Sequence, residues 1–345
     1  MKLGLTMGYW GAQPPSDALD LILAAEKLGF DAVFTAESWG SDALTPLAWW
    51  GAQTSRIKLG TSIVQISARP PTTTAMSALT LDHLSGGRLI LGIGVSGPQV
   101  VEGWYGQPFG KPLARTREYV DVIRQVLARQ DRVTNAGPHY PLPYGGPGSL
   151  GLGKPLKSIT HPLRADIPIW MGAEGPRNVA LAAEIADGWL PIYYSPRSSA
   201  MYRAWLAEGF ARPGARRKSG EFEIASNCQV VITDDPDAAV AAMKPTLAFY
   251  IGGMGAKDMN FHKEVFARMG YEGEVEKIQD LFFDGKRDEA VAAVPDQLVR
   301  DISFIGSPAQ IRDDLAAWEE AGVTTLVIMG RSESELANVA DVVLG

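Results

Sequence analysis

At 345 residues, 46% of them hydrophobic, and a formal net charge of −7, the chain can bury a large core and disfavours nucleic-acid or anionic-membrane partners. A lone cysteine, Cys228, excludes a disulfide framework and a thiolate cage; the histidines, His83, His139, His161 and His262, lack metal-ligand spacing, so no metal is expected. No run reaches the ~18 apolar residues of a membrane span, and Met1–Gly11 has no secretory-signal pattern, so a cytoplasmic protein is expected.

Lys2–Gly8 reads as a buried strand, followed by a helix with Ser16 as its expected N-cap. Ala18, Ile22, Ala25 and Leu28 give that helix an apolar stripe; Gly29 suits the left-handed position after it, and Asp31–Thr35 opens the next strand. The same helix–glycine–strand hinge, Ala24–Phe34, recurs at Ala182–Ile192 and Trp318–Gly330, which suggests repeated βα units around one sheet. Further strands are expected at Ile57–Val64, Leu89–Val95, Ile167–Met171 and Phe222–Ile232, and helices at Thr73–Leu84, Leu113–Arg129, Pro176–Ala186 and Pro308–Ala321.

These elements predict an α/β fold, a (β/α)8 TIM barrel, as one domain over residues 1–345. Two insertions interrupt it. The first, after strand 4 and helix 4 (about 131–166), is rich in Gly and Pro and reads either as a lid or substrate wall or as a surface loop. The second, after strand 7 (about 236–301), reads as mostly helical and either covers the barrel mouth or forms a subunit contact.

In a barrel of this kind ligands bind at the carboxyl ends of the strands. Gly86–Gly106 is organised as a turn, a buried strand with Gly92 and Gly94 at alternate positions, and a loop offering Ser96, Gly97 and Gln99. Alternate glycines suit close approach by another backbone or by a flat ligand. Gly172-Ala173-Glu174-Gly175-Pro176-Arg177 reads as a phosphate site at a helix N-terminus, or as an ordinary βα turn. Glu37, at the end of the second strand, reads as a proton-handling group or as a solvated, capping carboxylate. His83 reads as structural, and Trp39, Trp49, Trp50 and Trp104 as stacking or packing residues.

Leu81-Asp-His-Leu-Ser-Gly-Gly-Arg-Leu-Ile-Leu-Gly-Ile-Gly, the Gly29-Phe-Asp hinge, Leu59-Gly-Thr-Ser-Ile-Val and Ala183-Glu-Ile-Ala-Asp-Gly-Trp resemble the bacterial luciferase-like superfamily over nearly the whole chain. Ser96-Gly-Pro-Gln-Val-Val-Glu-Gly-Trp-Tyr-Gly and Gly153-Lys-Pro-Leu-Lys-Ser-Ile-Thr-His-Pro look like its actinobacterial branch, which uses the deazaflavin coenzyme F420. The resemblance implies hydride transfer between that ring and a small organic substrate, a homodimer, and a non-prolyl cis peptide at Ser62–Ile63. It puts the ring against Thr61, Ser62, Ile63, Gly94, Val95, Ser96 and Gln99. The phosphate falls at Gly172, Ala173, Glu174, Gly175 and Arg177, and the acidic tail near Lys154, Lys157 or Arg197. Deazaflavin-dependent relatives with Asp-His after strand two use the His for proton transfer; this chain has Glu37-Ser38, which leaves Glu37 or another group to move the proton. An FMN-dependent monooxygenase and a non-catalytic cofactor-binding barrel are the alternatives.

Overall fold

The computed structural model describes all residues, Met1–Gly345. Its strands are β1 (Lys2–Thr6), β2 (Ala32–Thr35), β3 (Lys58–Thr61), β4 (Val64–Gln65), β5 (Leu89–Gly94), β6 (Ile169–Gly172), β7 (Gly188–Leu190), β8 (Glu223–Asn227), β9 (Gln229–Ile232), β10 (Ser303–Gly306) and β11 (Thr325–Ile328). β3 and β4 are two halves of one interrupted strand, and both pair with β5. All barrel pairings are parallel, and β11 returns to β1 and β8, so the sheet closes as the expected eight-stranded barrel.

Small residues opposite large ones let the barrel close over a filled lumen. Phe34 and Trp170 occupy it with ring centroids 5.9 Å apart, beside Ile90, Leu190 and Val327. A Cβ on Gly60 would lie 2.4 Å from the Phe34 ring, and one on Gly188 2.8 Å from Trp170 Cδ1. Between β3 and β5 the approach is closer still. Thr61 Oγ1 donates to Gly92 O (2.7 Å) and accepts from Gly92 N (2.8 Å), and a Cβ on Gly92 would sit 1.8 Å from Thr61 O. The alternate glycines of β5 thus answer first to neighbouring protein atoms.

The outer helices are α1 (Ala18–Lys27), α2 (Leu44–Gly51), α3 (Pro71–Leu84), α4 (Pro98–Gly103), α5 (Pro112–Ala128), α6 (Pro176–Ile185) and α7 (Ser199–Phe210). The second insertion holds α8 (Pro236–Gly252), α9 (Phe261–Phe266), α10 (Glu272–Phe283), α11 (Arg287–Ala292) and α12 (Asp296–Asp301); α13 (Pro308–Glu320) and α14 (Glu333–Leu344) finish the chain. None is long and apolar enough to cross a membrane. Ala18, Ile22 and Ala25 are buried as the stripe requires, but Asp17, not Ser16, precedes the first helix, and its side chain makes no capping bond. Gly29 and Gly322 take positive φ (90° and 98°) between helix and strand. The middle hinge differs: Gly188 lies inside β7, where its missing side chain makes room for Trp170.

Two expected strands are broken. Ile57–Val64 is interrupted after Thr61, as described below. Phe222–Ile232 splits at Cys228, whose N–H donates to Val327 O; β9 then leaves the barrel and pairs in parallel with β10. The second insertion between them has its own core, built from Val240, Leu247, Ile251, Phe266, Val275, Ile278 and Leu298.

Much of the Leu81–Leu89 motif builds the foot of the barrel, at the amino ends of the strands. The Arg88 guanidinium donates to the carbonyls of Gly51, Thr54, Ile57 and Ser85, joining α2, β3 and α3. Buried Asp82 accepts from Arg164 (2.5 Å), which ties down the end of the first insertion, and His83 Nε2 meets His161 O at 2.7 Å, consistent with a structural role. That insertion leaves from the end of α5 and packs along the outside of α3 and α5, with Tyr140 edge-on to Tyr119 (5.4 Å). Both its ends are anchored at the foot, while Tyr140 in its middle reaches Arg115, whose guanidinium also meets Ser67 just after β4.

Gly92→Ala is expected to cost more than about 4 kcal/mol in urea unfolding, because a backbone–backbone clash has no flexible end to yield. Gly103→Ala, with no atom within 4 Å of the added carbon, is the control and should unfold like the parent chain.

Candidate active site

The floor of the mouth is the break between β3 and β4. The Ser62–Ile63 peptide is cis, at the position the resemblance implies. Ser62 N donates to Thr35 O (2.6 Å), and Glu37 N to Ile63 O (3.3 Å). The Glu37 carboxylate accepts from Gln65 N (2.8 Å), while Glu37 O accepts from Gln65 Nε2 (2.9 Å). Arg69 then closes on both oxygens, at 2.5 and 3.1 Å.

Glu37 is 5% exposed. With its oxygens held by a guanidinium and a backbone amide, this carboxylate works as a fixed anion that pins the break from both sides. Oε2 accepts two of these three hydrogen bonds and Oε1 one, so the geometry gives Glu37 a positioning role at the break.

The Ile63 side chain lies over the ends of the next two barrel strands. A Cβ on Gly94 would meet Ile63 Cδ1 at 2.8 Å, and one on Gly172 would meet Ile63 Cγ2 at 3.3 Å. The result is a half-buried apolar shelf at the tips of β5 and β6. Val95, half-buried Ser96 (φ 61°) and exposed Gln99 follow on one side of it. Thr61 is corrected: fully buried and bonded twice to Gly92, its hydroxyl is not free for a ligand.

At the tip of β6, Trp189 Nε1 donates to Ala173 O (2.8 Å) and fixes the turn. Gly175 precedes α6 in extended conformation, Pro176 takes the first helical position, and no side chain caps the helix. Its N-terminus and exposed Arg177 therefore face open space, an arrangement suited to an anion. The Glu174 side chain turns aside, with Oε1 2.8 Å from His262 Nδ1. The expected tail cations lie apart: Lys157 donates to Gln130 O beyond the end of α5, at the foot, and Arg197 pairs with Asp301. Lys154 is exposed on the first insertion.

The second insertion comes down over this mouth. Phe261 stacks on Phe109 (6.2 Å), Tyr250 meets Tyr193 edge-on (5.6 Å), and Phe266 packs on Tyr193 (4.6 Å). Of the two readings open for it, covering the mouth is the one observed. Half of Tyr9 remains exposed at the rim, but its hydroxyl end is turned inward, and burial, with Tyr250 and Glu174 nearby, pushes its pKa up to about 12. Trp39 and Trp104 stand exposed at the rim, while Trp50 is core. The Arg69 and His262 contacts carry no signal in spacing, since each joins residues far apart in the chain.

The family described as luciferase-like monooxygenase matches residues 4–325. A protein of Mycobacterium tuberculosis, provisionally named a coenzyme F420-dependent oxidoreductase, is 63% identical over 343 residues, covering 99% of each chain. The 5,10-methylenetetrahydromethanopterin reductase of Methanopyrus kandleri is 31% identical, over 80% of this chain and 77% of its own. The solved structure of the coenzyme F420-dependent tetrahydromethanopterin reductase from M. kandleri superposes with a TM-score of 0.81 at 26% identity, covering 99% of this chain and 98% of that one.

Glu37→Gln leaves Arg69 without its counter-charge in a site only 18% exposed. A loss of about 3 kcal/mol in urea unfolding is expected, with part of it recovered in the Glu37→Gln/Arg69→Met double variant. A single-variant loss below about 0.5 kcal/mol, the range of ordinary surface changes, would show that the pair does not hold the break.

Proposed function

The chain belongs to the luciferase-like monooxygenase family, and from that premise we propose an oxidoreductase that uses coenzyme F420 to move a hydride to or from a small organic substrate at the barrel mouth. The observation that carries the reading is the 63% identity, end to end, with a relative named for that cofactor. Bound at the mouth, a deazaflavin supplies two-electron hydride chemistry, because carbon replaces the flavin nitrogen beside the oxygen-reactive position.

The residues present fit such a group. Buried Gln65 Oε1 has no hydrogen-bond partner and suits a ring N–H; the Ile63 shelf suits a flat ring face. Ser62 and Ile63 carry the ring in this reading, with Gly94, Val95, Ser96 and Gln99 along its edge. Gly172, Ala173, the Glu174 and Gly175 backbone and the Arg177 guanidinium take the phosphate. A shelf held by Glu37 and Arg69 keeps the ring in one orientation, which hydride transfer over about 3–3.5 Å requires.

An FMN-dependent monooxygenase is the second reading, favoured by the family's own description. Fluorescence titration of the apoprotein separates the two. F420 is expected to bind at least tenfold more tightly than FMN, about 1.4 kcal/mol. Arg177→Ala should weaken F420 five- to fiftyfold and leave the phosphate-free deazaflavin unchanged. Tighter FMN binding, with substrate-dependent oxygen uptake, would favour the monooxygenase; failure to bind either would sink both.

We also propose a homodimer. Leu150, Leu152, Leu156 and Ile159 on the first insertion are 68–93% exposed in one segment, an apolar row that a second copy would cover. Sedimentation of an Ile159→Glu variant should give a monomer where the parent chain is dimeric; a monomeric parent chain would refute the assignment.

A further inference from the structure

The second insertion holds a polar cavity of about 480 Å³ with no part in the assignments above. Asn260, Lys263 and Gln279 line it, and each is more than nine-tenths buried. Asn260 Oδ1 caps α9 by accepting from Lys263 N (3.0 Å), and its Nδ2 donates to Tyr250 O and Ile251 O, so the end of α8 fixes the start of α9. Lys263 Nζ then reaches α10, where it donates to Glu276 Oε1 (2.7 Å) and Gln279 Oε1 (2.8 Å). Gln279 Nε2 is left buried with no partner. Exposed Lys257 and Arg268 add two further cations to the wall.

Each cation already has a carboxylate: Glu276 on Lys263, Asp280 on Lys257 (3.0 Å) and Glu264 on Arg268 (3.1 Å). Those carboxylate side chains are 50–63% exposed, so water receives any of them that turns away. Glu276 reaches Lys263 and no other donor. A carboxylate inside the cavity has an oxygen for Lys263 Nζ and another for Gln279 Nε2. A buried amide N–H with no partner costs free energy, which an acceptor placed beside it recovers. An ammonium and an amide NH2 both donate, and the ammonium selects for an anion among acceptors.

The cavity adjoins the turn assigned to the phosphate. His262, between the cavity-lining Phe261 and Lys263, brings Nδ1 to 2.8 Å from Glu174 Oε1. Lys157 and Arg197, expected to meet the acidic tail of the cofactor, are engaged elsewhere, and Lys154 is on the other insertion. We propose that the cavity is a carboxylate site and that the acidic tail, leaving the phosphate beside Gly175, supplies the carboxylate. The tail assignment rests on the function proposed above. A free dicarboxylic acid offers the same chemistry from a second source. Binding is an exchange of partners: the incoming carboxylate takes Lys263 Nζ and Gln279 Nε2, and Glu276 turns to water.

The test titrates the full chain with F420, with the tail-less cofactor that keeps ring and phosphate, and with glutarate as a free acid. F420 is expected to bind about tenfold more tightly than the tail-less form and to shift the Gln279 side-chain amide in 15N NMR. Lys263→Met should bring the two Kd values together, with the tail-less value within about threefold of wild type. Glu276→Gln, at an exposed position, should widen the ratio about threefold, and it decides the matter where Lys263→Met does not fold. Equal binding of both deazaflavins overturns the tail as the source. In that case a Gln279 shift with glutarate, absent in Lys263→Met, supports the site with a free acid as its ligand. A Gln279 amide unmoved by F420 and by glutarate overturns the site, while F420 binding keeps the proposed function. Failure of either deazaflavin to bind removes that function and the tail together, and the glutarate arm still decides the site.

Discussion

A buried carboxylate held from three directions organises the mouth of this barrel. Glu37 accepts from Gln65 N and Arg69 while its own backbone bonds Ile63 O and Gln65 Nε2, so one residue spans both sides of the break between β3 and β4. An ion pair at this depth is stabilising only when its remaining polar atoms are matched. Here they are, apart from buried Gln65 Oε1, which has no hydrogen-bond partner. The shelf presented by Ile63 is a consequence of that clamp.

The barrel wall is built to the same tolerance. Gly92 and Gly94 sit where β5 must accept the Thr61 carbonyl and the Ile63 side chain, and Gly60 and Gly188 accept the lumen rings of Phe34 and Trp170. Interiors pack too densely to absorb an added methyl at such contacts. Glycine at these positions serves close approach, while at Gly29 and Gly322 it serves a left-handed turn. One residue type thus answers two separate physical demands along the same chain.

The two insertions divide the remaining work by where they leave the barrel. The segment leaving from the end of α5 starts at the foot, and Arg164 on Asp82 holds it there. The segment leaving after β9 has its own core and reaches back across the strand tips through Phe261 and His262.

The sequence alone determined the (β/α)8 plan, because short apolar strands, helix stripes and glycine hinges are local patterns that βα units must carry. Its motifs also pointed to the family and to the cis peptide at Ser62–Ile63. Contacts between residues distant in the chain were decided only by the tertiary structure. Glu37 and Arg69 are separated by a whole βα unit, and Glu174 and His262 by the stretch from α6 through α8, so neither pairing leaves a periodicity to read. The hydroxyl of Thr61 is spoken for by a neighbouring strand, which spacing along one strand cannot reveal. The foot motif at Asp82 and Arg88 is conspicuous in sequence yet structural in role, since composition reports the kind of group present and packing decides what it faces.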